Sequence, residues 1–425
     1  MEQQNPWTPA APPRSSSTGL IVGLAVGGAM LLLLIVAAGG IFAYSLLKSQ
    51  QNSAPQGDPD EIVLRQEPGS GPALRYGTTP VYDACSLVTI DGLSRLDVSL
   101  SRDYFVAHEH LDADVPVSAA ITADTPDPIS NCFYMLSSED SLHVRVHQTP
   151  FNSSDELTRM QERATRQNAA VVAEAGMSSV AWHDDEYESQ HLVIWRPELV
   201  VDISLRSEDS DGTLDPASFM PRLESLVRSG LSSPPTAPIR HTYLAPFDKV
   251  KDPCAAASVE AYRAAFPSAP GAPSMVDGSY RLDAPIPDSQ RGFGKSREAQ
   301  LSCTRNNIVP RGTLNPDHRS LQVDLSVWTA EKAADRSNYV NCAPSYKSRH
   351  ADPVPITPPV GTRKSCLADY DTDWLLKFQV SNVNVTVGDG DTDGKPDVSA
   401  RRDQLVSVRL VLIFMESLPR GIAGT

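Results

Sequence analysis

One structural unit occurs twice in this chain. The segment DACSLVTIDGL around Cys85 matches DPCAAASVEAY around Cys254, and the next cysteines, Cys132 and Cys303, follow 47 and 49 residues later. Further along, VDISLRSEDSDGTLDP aligns without a gap on VNVTVGDGDTDGKPDV. Because internal repeats mark repeated structural units, the sequence predicts two domains of one fold.

The cysteines divide between the repeats. Six cysteines allow fifteen pairings, and the repeat favours one of them. The predicted pairs are Cys85–Cys132, Cys254–Cys303 and, inside an insertion of the second repeat, Cys342–Cys366. Closing a loop of nearly fifty residues contributes about 4 kcal/mol in the chain-entropy model. An even set with long spacings and no C-x-x-C favours disulfides in an oxidising compartment over zinc.

An uncharged apolar run from Gly19 to Leu47 predicts a membrane-spanning helix. About 20 apolar residues cross the hydrocarbon core, whereas a signal peptide has an apolar part of only about 7 to 15 residues. We therefore expect an uncleaved anchor in the cell membrane. Since the cysteines follow the run, the N-terminus is expected in the cytoplasm and the C-terminal region outside.

Composition predicts the remaining organisation. Segments rich in serine and proline without apolar periodicity are typical of tails and linkers. The expected parts are a disordered cytoplasmic tail 1–18, the span 19–47, a linker 48–80, repeat 1 at 81–230, a linker 231–248, and repeat 2 at 249–425 with the disulfide-closed insertion 342–366.

Both repeats predict the same secondary structure. Thr89 and Ser258 are matching N-cap candidates, and SLHVRVHQ and SLQVDLSVW alternate as half-buried strands do. Ser153 and Glu156 have capping-box spacing and predict a helix that ends at Gly176. The predicted fold is α+β, with two tandem antiparallel-sheet domains, each linked by a disulfide and each with helices on one face.

These features resemble a known family. The DACSLVT and DPCAAAS starts, the second cysteines in NCFYML and LSCTRN, and the order of strands and helices are similar to an actinobacterial family of secreted and membrane-tethered proteins of unknown function. The resemblance covers both repeats and implies a PsbP-like, non-catalytic extracytoplasmic domain with no established ligand. This chain differs from the lipoproteins of that family because it has a transmembrane anchor and two copies of the domain.

The stretch DGDTDGKPD is a weak calcium-site candidate. Its carboxylates are Asp389, Asp391, Asp393 and Asp397. An EF-hand loop needs a bidentate glutamate at position 12, but that position is Ala400. In repeat 1 the matching turn leads to Asp215 and Pro216, which suit the N-cap and first position of a helix. We expect a strand-to-helix turn, with calcium binding in repeat 2 as the alternative and no other cofactor.

Histidine-containing segments are the other metal candidates. HEHLDAD contains His108, His110, Asp112 and Asp114, which are transition-metal ligand types. The two imidazoles could converge on one strand face, but no third ligand follows them at a recognisable spacing. We therefore expect a solvated loop. His143 and His147 would lie about 13 Å apart on a strand with a rise of about 3.3 Å per residue and cannot share an ion. HDDEYESQH is predicted to be a charged exposed loop.

Charge and motifs narrow the function. The formal net charge of −15 argues against nucleic-acid binding. Among the catalytic motifs considered, only S-x-x-K occurs, as SLLK at Ser45–Lys48 on the membrane edge, and no catalytic residue is predicted. The interpretation is a non-enzymatic extracytoplasmic binding region for an envelope protein or a cell-wall component.

Two alternatives stay open. Gly19, Gly23 and Gly27 have the small-xxx-small spacing of closely packed membrane helices. This spacing would allow a homodimer, and the chain could then be a sensor that signals through association of its anchors. The second alternative is an enzyme of unrecognised type, since spatial triads of distant residues are invisible in one sequence.

Overall fold

A computed structural model describes residues 64–101, 105–112, 114–117, 127–137, 140–206, 214–243, 247, 250, 252–267, 273–283, 298–308, 318–328, 334, 354–355, 365–370 and 373–389. In these ranges no helix is long and apolar enough to cross a membrane. The predicted span with Gly19, Gly23 and Gly27 lies outside them, as do Cys342 and residues 390–425.

Antiparallel strands dominate the described fold, and all named strand pairs are antiparallel. The strands are β1 Leu64–Glu67, β2 Arg75–Tyr76, β3 Thr79–Pro80, β4 Phe105–Leu111, β5 Ser130–Met135, β6 Ser141–Gln148, β7 Val172–Glu174, β8 Met177–Asp184, β9 Ser189–Arg196, β10 Leu199–Arg206, β11 Arg240–Tyr243, β12 Pro273–Asp283, β13 Glu298–Asn307, β14 Ser320–Trp328, β15 Val354–Pro355, β16 Ser365–Tyr370, β17 Asp373–Val380 and β18 Val383–Asp389. The predicted combination of antiparallel sheet and helices is confirmed.

Fourteen strands form one sheet that runs through both repeats. Their order is β15-β16-β17-β18-β14-β13-β12-β4-β5-β6-β10-β9-β8-β7. The central contact is β4 with β12, where His108 lies opposite Gly278. These two residues are also equivalent in the repeats, because His108 pairs with Cys132 on β5 and Gly278 pairs with Cys303 on β13. Equivalent residues that face each other in an antiparallel pair place an approximate two-fold axis between them.

The two predicted disulfides inside the repeats are confirmed. Cys85 is bonded to Cys132 and Cys254 to Cys303. Short helices that begin next to the first cysteines support each bridge in the same way. In repeat 1 the Tyr134 hydroxyl donates to the Val88 carbonyl that follows the helix. In repeat 2 the equivalent strand position is Arg305, whose Nε donates to the Ala257 carbonyl.

Side-chain caps begin the helices, as predicted. The described helices are α1 Ala84–Leu87, α2 Ile90–Arg95, α3 Ser154–Thr165, α4 Pro216–Leu231, α5 Pro253–Ala256 and α6 Val259–Ala265. Thr89 caps α2 and Ser258 caps α6, while Ser153 and Glu156 form the capping box of α3. Asp215 caps α4 by accepting from the Ala217 N–H at 3.1 Å. This arrangement confirms the helix-start interpretation for repeat 1.

The helix predicted to end at Gly176 is shorter than expected. It ends at Thr165, and the chain then forms the β7–β8 hairpin. Ala175 and Gly176 join these strands with φ of 50° and 76°. Two consecutive positive φ angles produce the tight turn that matches the twist of a hairpin. Gly176 therefore serves a strand turn and not a helix C-terminus.

Helices cover both faces of the repeat 1 sheet, which corrects the prediction of helices on one face. Neighbouring residues of a strand point to opposite faces. On β10, Val201 belongs to the main core, which includes Leu223 and Val227 of α4. The adjacent Val200 packs instead in a separate cluster that contains Leu157 of α3.

Parts of both predicted linkers are ordered strands. β1, from the segment expected to be a linker up to residue 80, pairs with β11 from the linker expected at 231–248. Leu64 and Tyr76 are buried, and so are His241 and Tyr243. The prediction was wrong here because proline and serine content hid two short strands that stabilise each other only by long-range pairing.

Candidate functional site

Buried and half-buried polar side chains collect around the two-fold axis between β4 and β12. They come from five different elements or their caps, and both repeats contribute. The members of this junction cluster are Asp83, His108, His110, His241, Asp252 and Tyr280. Burying polar groups is costly unless they are hydrogen-bonded, so the partners of each group indicate whether it serves stability or binding.

Asp83, the N-cap of α1, is saturated with donors. It accepts from His108 Nε2 at 2.6 Å, from the Ser130 hydroxyl at 3.1 Å and from the Ile239 N–H at 3.2 Å. The Ser86 N–H and hydroxyl complete the set at 3.0 and 2.7 Å. Burial acts to raise the pKa of the Asp83 carboxyl, but the attraction and hydrogen bond of His108, with help from His110 and Ser86, hold that pKa far below its usual value. Asp83 is therefore a structural carboxylate.

His110 and His241 flank His108. The ring centroids of His110 and His241 lie 4.4 and 5.4 Å from that of His108. Burial, reinforced by repulsion from His108, lowers the pKa of His110 to about 4 and that of His241 well below its usual value. Both imidazoles are therefore neutral at pH 7.

The tautomer of His241 follows from Gln66, which faces it in the β1–β11 register. Gln66 Oε1 accepts from the Ile90 N–H at 2.7 Å, which directs its amide nitrogen to His241 Nε2 at 3.1 Å. The Nε2 atom then accepts, so the ring proton is on Nδ1. Within the described residues this Nδ1 has no hydrogen-bond partner.

Asp252 is the repeat 2 counterpart of Asp83, since each lies two residues before the first cysteine. It caps α5 by accepting from the Cys254 N–H at 2.9 Å, and the Tyr280 hydroxyl donates to it at 3.3 Å. Burial raises the pKa of Asp252, and these hydrogen bonds only partly offset that effect. Burial and the neighbouring Asp252 raise the pKa of Tyr280 well above its usual value.

A cavity of about 510 Å³ opens beside the junction cluster. Its wall includes His110 and Asp112 from repeat 1 and Asp252, Tyr280 and Arg305 from repeat 2. Arg305 is buried and donates to the Asp112 carboxylate across the junction. Small-molecule sites have volumes of about 300 to 1,000 Å³ and a few convergent polar groups. This cavity therefore has the size and lining of a ligand site.

Among the residues that the structure describes, the geometry does not complete a metal centre. Potential ligand atoms of Cys85, His108 and His241 lie within 4.8 Å of one another. However, the Cys85 sulfur is bonded to Cys132, and a disulfide sulfur does not provide the thiolate that binds metal ions. Two imidazoles remain, which are fewer than the three or four protein ligands typical of a zinc site.

The histidines considered as metal ligands lie on strands. His108 and His110 lie on β4, with His108 buried at 2% exposure, so the expectation of a solvated loop was wrong. His143 and His147 share β6 with Arg145, which forms an ion pair with Asp202.

The expected loop HDDEYESQH belongs mainly to the β8–β9 hairpin. His183 lies on β8 and His191 lies on β9, where its ring stacks on Trp182 at 4.9 Å. Only residues 185–188, between these strands, form a loop, and all four are exposed as predicted.

The calcium candidate and the inserted disulfide lie largely outside the described residues. Asp389 ends β18, while Asp391, Asp393 and Asp397 are outside the described ranges, so calcium binding stays a prediction. Cys366 lies on β16, but its predicted partner Cys342 is outside these ranges as well.

Comparison of the chain with protein-family models, curated proteins and solved structures finds no match. The resemblance to the paired-cysteine actinobacterial family therefore stays a prediction. The case for function rests on the junction cluster and its cavity.

Sequence reasoning missed His241 and Tyr280 because no local pattern links them. The equivalence of Asp83 and Asp252 in the two D-x-C motifs was the one signal that could have identified the junction.

Proposed function

We propose that this chain is an extracytoplasmic binding protein, anchored by one membrane span, that holds a cell-wall component in the cavity between its two repeats. The cavity carries the proposal, because both repeats form its wall and it exposes half-buried polar groups. The apolar run 19–47 and the disulfides support an anchored protein in an oxidising compartment. The proposal includes kinship with the PsbP-like actinobacterial family.

The arrangement around His108 favours binding over catalysis. A Ser–His–Asp site needs a hydroxyl that donates to the imidazole. Here the Ser130 hydroxyl accepts from the Ala84 N–H at 2.9 Å, and its proton is shared between the Glu109 carbonyl at 3.0 Å and Asp83 at 3.1 Å. Asp83 is only 5% exposed and is absent from the cavity wall, so the carboxylate that would orient the imidazole is occupied with structural hydrogen bonds. We therefore propose a non-catalytic role.

Calorimetric titration of the full chain in a neutral detergent with soluble peptidoglycan fragments tests this function. The test variant is Ala73→Trp, because Ala73 lines the cavity and an indole would occupy the ligand space. Its control is Ala181→Trp on the exposed side of β8. We expect binding to wild type and to the control, and at least tenfold weaker binding to Ala73→Trp. Equal binding by all three proteins, or no binding by any, would refute the proposal.

A further inference from the structure

The two repeats use their equivalent aspartates differently. Asp83 accepts from five donor groups, of which His108 is the closest. Asp252 accepts from only two described groups, the Cys254 N–H and the Tyr280 hydroxyl, and the hydroxyl is 3.3 and 3.5 Å from its two oxygens. A carboxylate has about four lone-pair sites. Asp252 therefore retains acceptor capacity on the cavity wall, whereas Asp83 does not.

Gly278 explains why Asp252 lacks an imidazole partner. It occupies the position equivalent to His108, and a Cβ atom there would lie 2.8 Å from the Tyr280 hydroxyl oxygen. Without a side chain at this position, Tyr280 reaches Asp252, and Gly278 itself lines the cavity. In repeat 2, a phenol hydroxyl and open space therefore take the place of the histidine that hydrogen-bonds to the aspartate in repeat 1.

The other inner groups of the wall mainly accept hydrogen bonds. His110 donates through Nδ1 to the Leu111 carbonyl, so its neutral ring presents Nε2 as an acceptor. The Tyr280 proton is directed to Asp252, which leaves lone pairs of the phenol oxygen. The Arg305 charge is compensated by Asp112. Arg240 also lines the cavity, but its side chain is exposed and lies opposite Glu67 in the β1–β11 register.

A wall with an incompletely compensated carboxylate and neutral acceptors suits a ligand that donates hydrogen bonds and carries positive charge. We propose that the cavity binds a small organic cation whose protonated amine contacts Asp252. Charged hydrogen bonds to a carboxylate are among the stronger polar contacts in proteins. The volume of about 510 Å³ favours an organic amine over a bare metal ion. This inference rests on the proposed function and specifies the chemistry of its ligand.

The test compares three probes of similar length by calorimetry with the full chain in neutral detergent at pH 7. The probes are cadaverine, which is a diamine, 1,5-pentanediol and glutarate. We expect wild type to bind cadaverine at least tenfold more tightly than either the neutral or the anionic probe. Absence of cadaverine binding, or diol or dicarboxylate binding of equal strength, would overturn the inference without any variant.

Two matched variants assign the binding to Asp252. Asparagine caps helices about as well as aspartate, so Asp252→Asn removes the charge while it keeps the cap of α5. Asp215→Asn makes the same change at the cap of α4, away from the cavity lining. We expect at least tenfold weaker cadaverine binding for Asp252→Asn and unchanged binding for Asp215→Asn. Equal affinity in both variants would refute the role of Asp252.

The outcomes separate this inference from the proposed function. If Ala73→Trp weakens binding of cell-wall fragments at least tenfold while cadaverine does not bind wild type, the cavity is a ligand site and the cation preference is wrong. If neither the fragments nor any probe binds wild type, both the proposed function and the inference are refuted.

Discussion

His108 and Gly278 face each other across the β4–β12 pair at equivalent positions of the two repeats. Two identical imidazoles at this place would compete for the space on the axis. Glycine on one side lets Tyr280 stack on His241, with ring centroids 4.4 Å apart, and reach Asp252. The glycine is one of several departures from the repeat at this junction, since Tyr280 is equivalent to His110 and Leu301 is equivalent to Ser130.

Gly278→Ala should destabilise the fold, although alanine is usually better than glycine inside a strand by about 0.5 to 1 kcal/mol. The new Cβ would lie 2.8 Å from the Tyr280 oxygen, and overpacking of this kind costs about 1 to 3 kcal/mol. Denaturant unfolding of wild type, Gly278→Ala and the neighbouring control Ser279→Ala measures the effect. Stability equal to or above wild type in Gly278→Ala would contradict this packing.

Asp83→Asn should destabilise far more than Asp252→Asn. The first change removes a buried charge that accepts from five groups, including His108. A buried donor that loses its partner costs about 1 to 3 kcal/mol, and an asparagine can no longer accept from the donors that its amide nitrogen would face. Asp252 has fewer partners, and an asparagine retains the capping oxygen, so a loss below about 1 kcal/mol is expected. Urea unfolding of the two variants gives the comparison, and similar losses would show that the two carboxylates are not used differently.

Stability should fall as pH decreases from 7 to 4. Burial lowers the pKa of His147 to about 4, against a usual value of 6.5, with Asp202 and Arg145 acting in opposite directions. The unfolded chain then binds more protons than the native state in this window, so stability rises with pH. The difference between the native and the unfolded pKa of His147 corresponds to about 3 kcal/mol of stability. The lowered pKa values of His110 and His241 change the stability in the same direction.

Melting temperatures of wild type and His147→Gln between pH 4 and 8 test this dependence. The melting temperature of the variant should fall less steeply with acidification. The variant lacks one imidazole that binds a proton more readily in the unfolded chain than in the native state. His183→Gln is the control, because the side chain of His183 is 48% exposed. An unchanged pH profile in His147→Gln would contradict the assignment.

Local patterns predicted the features that depend on neighbouring residues. Thr89, Ser153 and Asp215 cap helices as their spacing indicated, because a cap bonds to backbone groups two or three residues away. The repeat identified the Cys85–Cys132 and Cys254–Cys303 bridges, since equivalent cysteines must close equivalent loops.

Features set by distant contacts were not predictable in this way. Gln66 and His241 pair across β1 and β11, 175 residues apart. Neither strand has enough length to show a clear alternation, and each lies in a segment rich in proline or serine. The cavity exists because β4 meets β12, and one sequence contains no signal for which edges of two repeated sheets join.

Arg228 on α4 provides the last test, because it connects this helix to the β7–β8 hairpin. Its Nε donates to Glu224 at 2.8 Å and its Nη2 donates to the Ser179 hydroxyl at 2.7 Å. Its Nη1 also donates to the carbonyls of Glu174 and Met177, at 3.2 and 3.3 Å. Lysine cannot reproduce this planar set of donors.

Arg228→Lys should therefore leave buried acceptors unpaired, at a cost of about 1 to 3 kcal/mol. Amide hydrogen exchange of the β7–β8 hairpin should accelerate more than exchange in β6, which lies away from the guanidinium. Arg222→Lys is the control on the same helix, since Arg222 forms an exposed pair with Asp97, and such surface changes usually stay within about 0.5 kcal/mol. Equal losses in the two variants, or exchange that accelerates uniformly, would show that Arg228 does not hold the hairpin to α4.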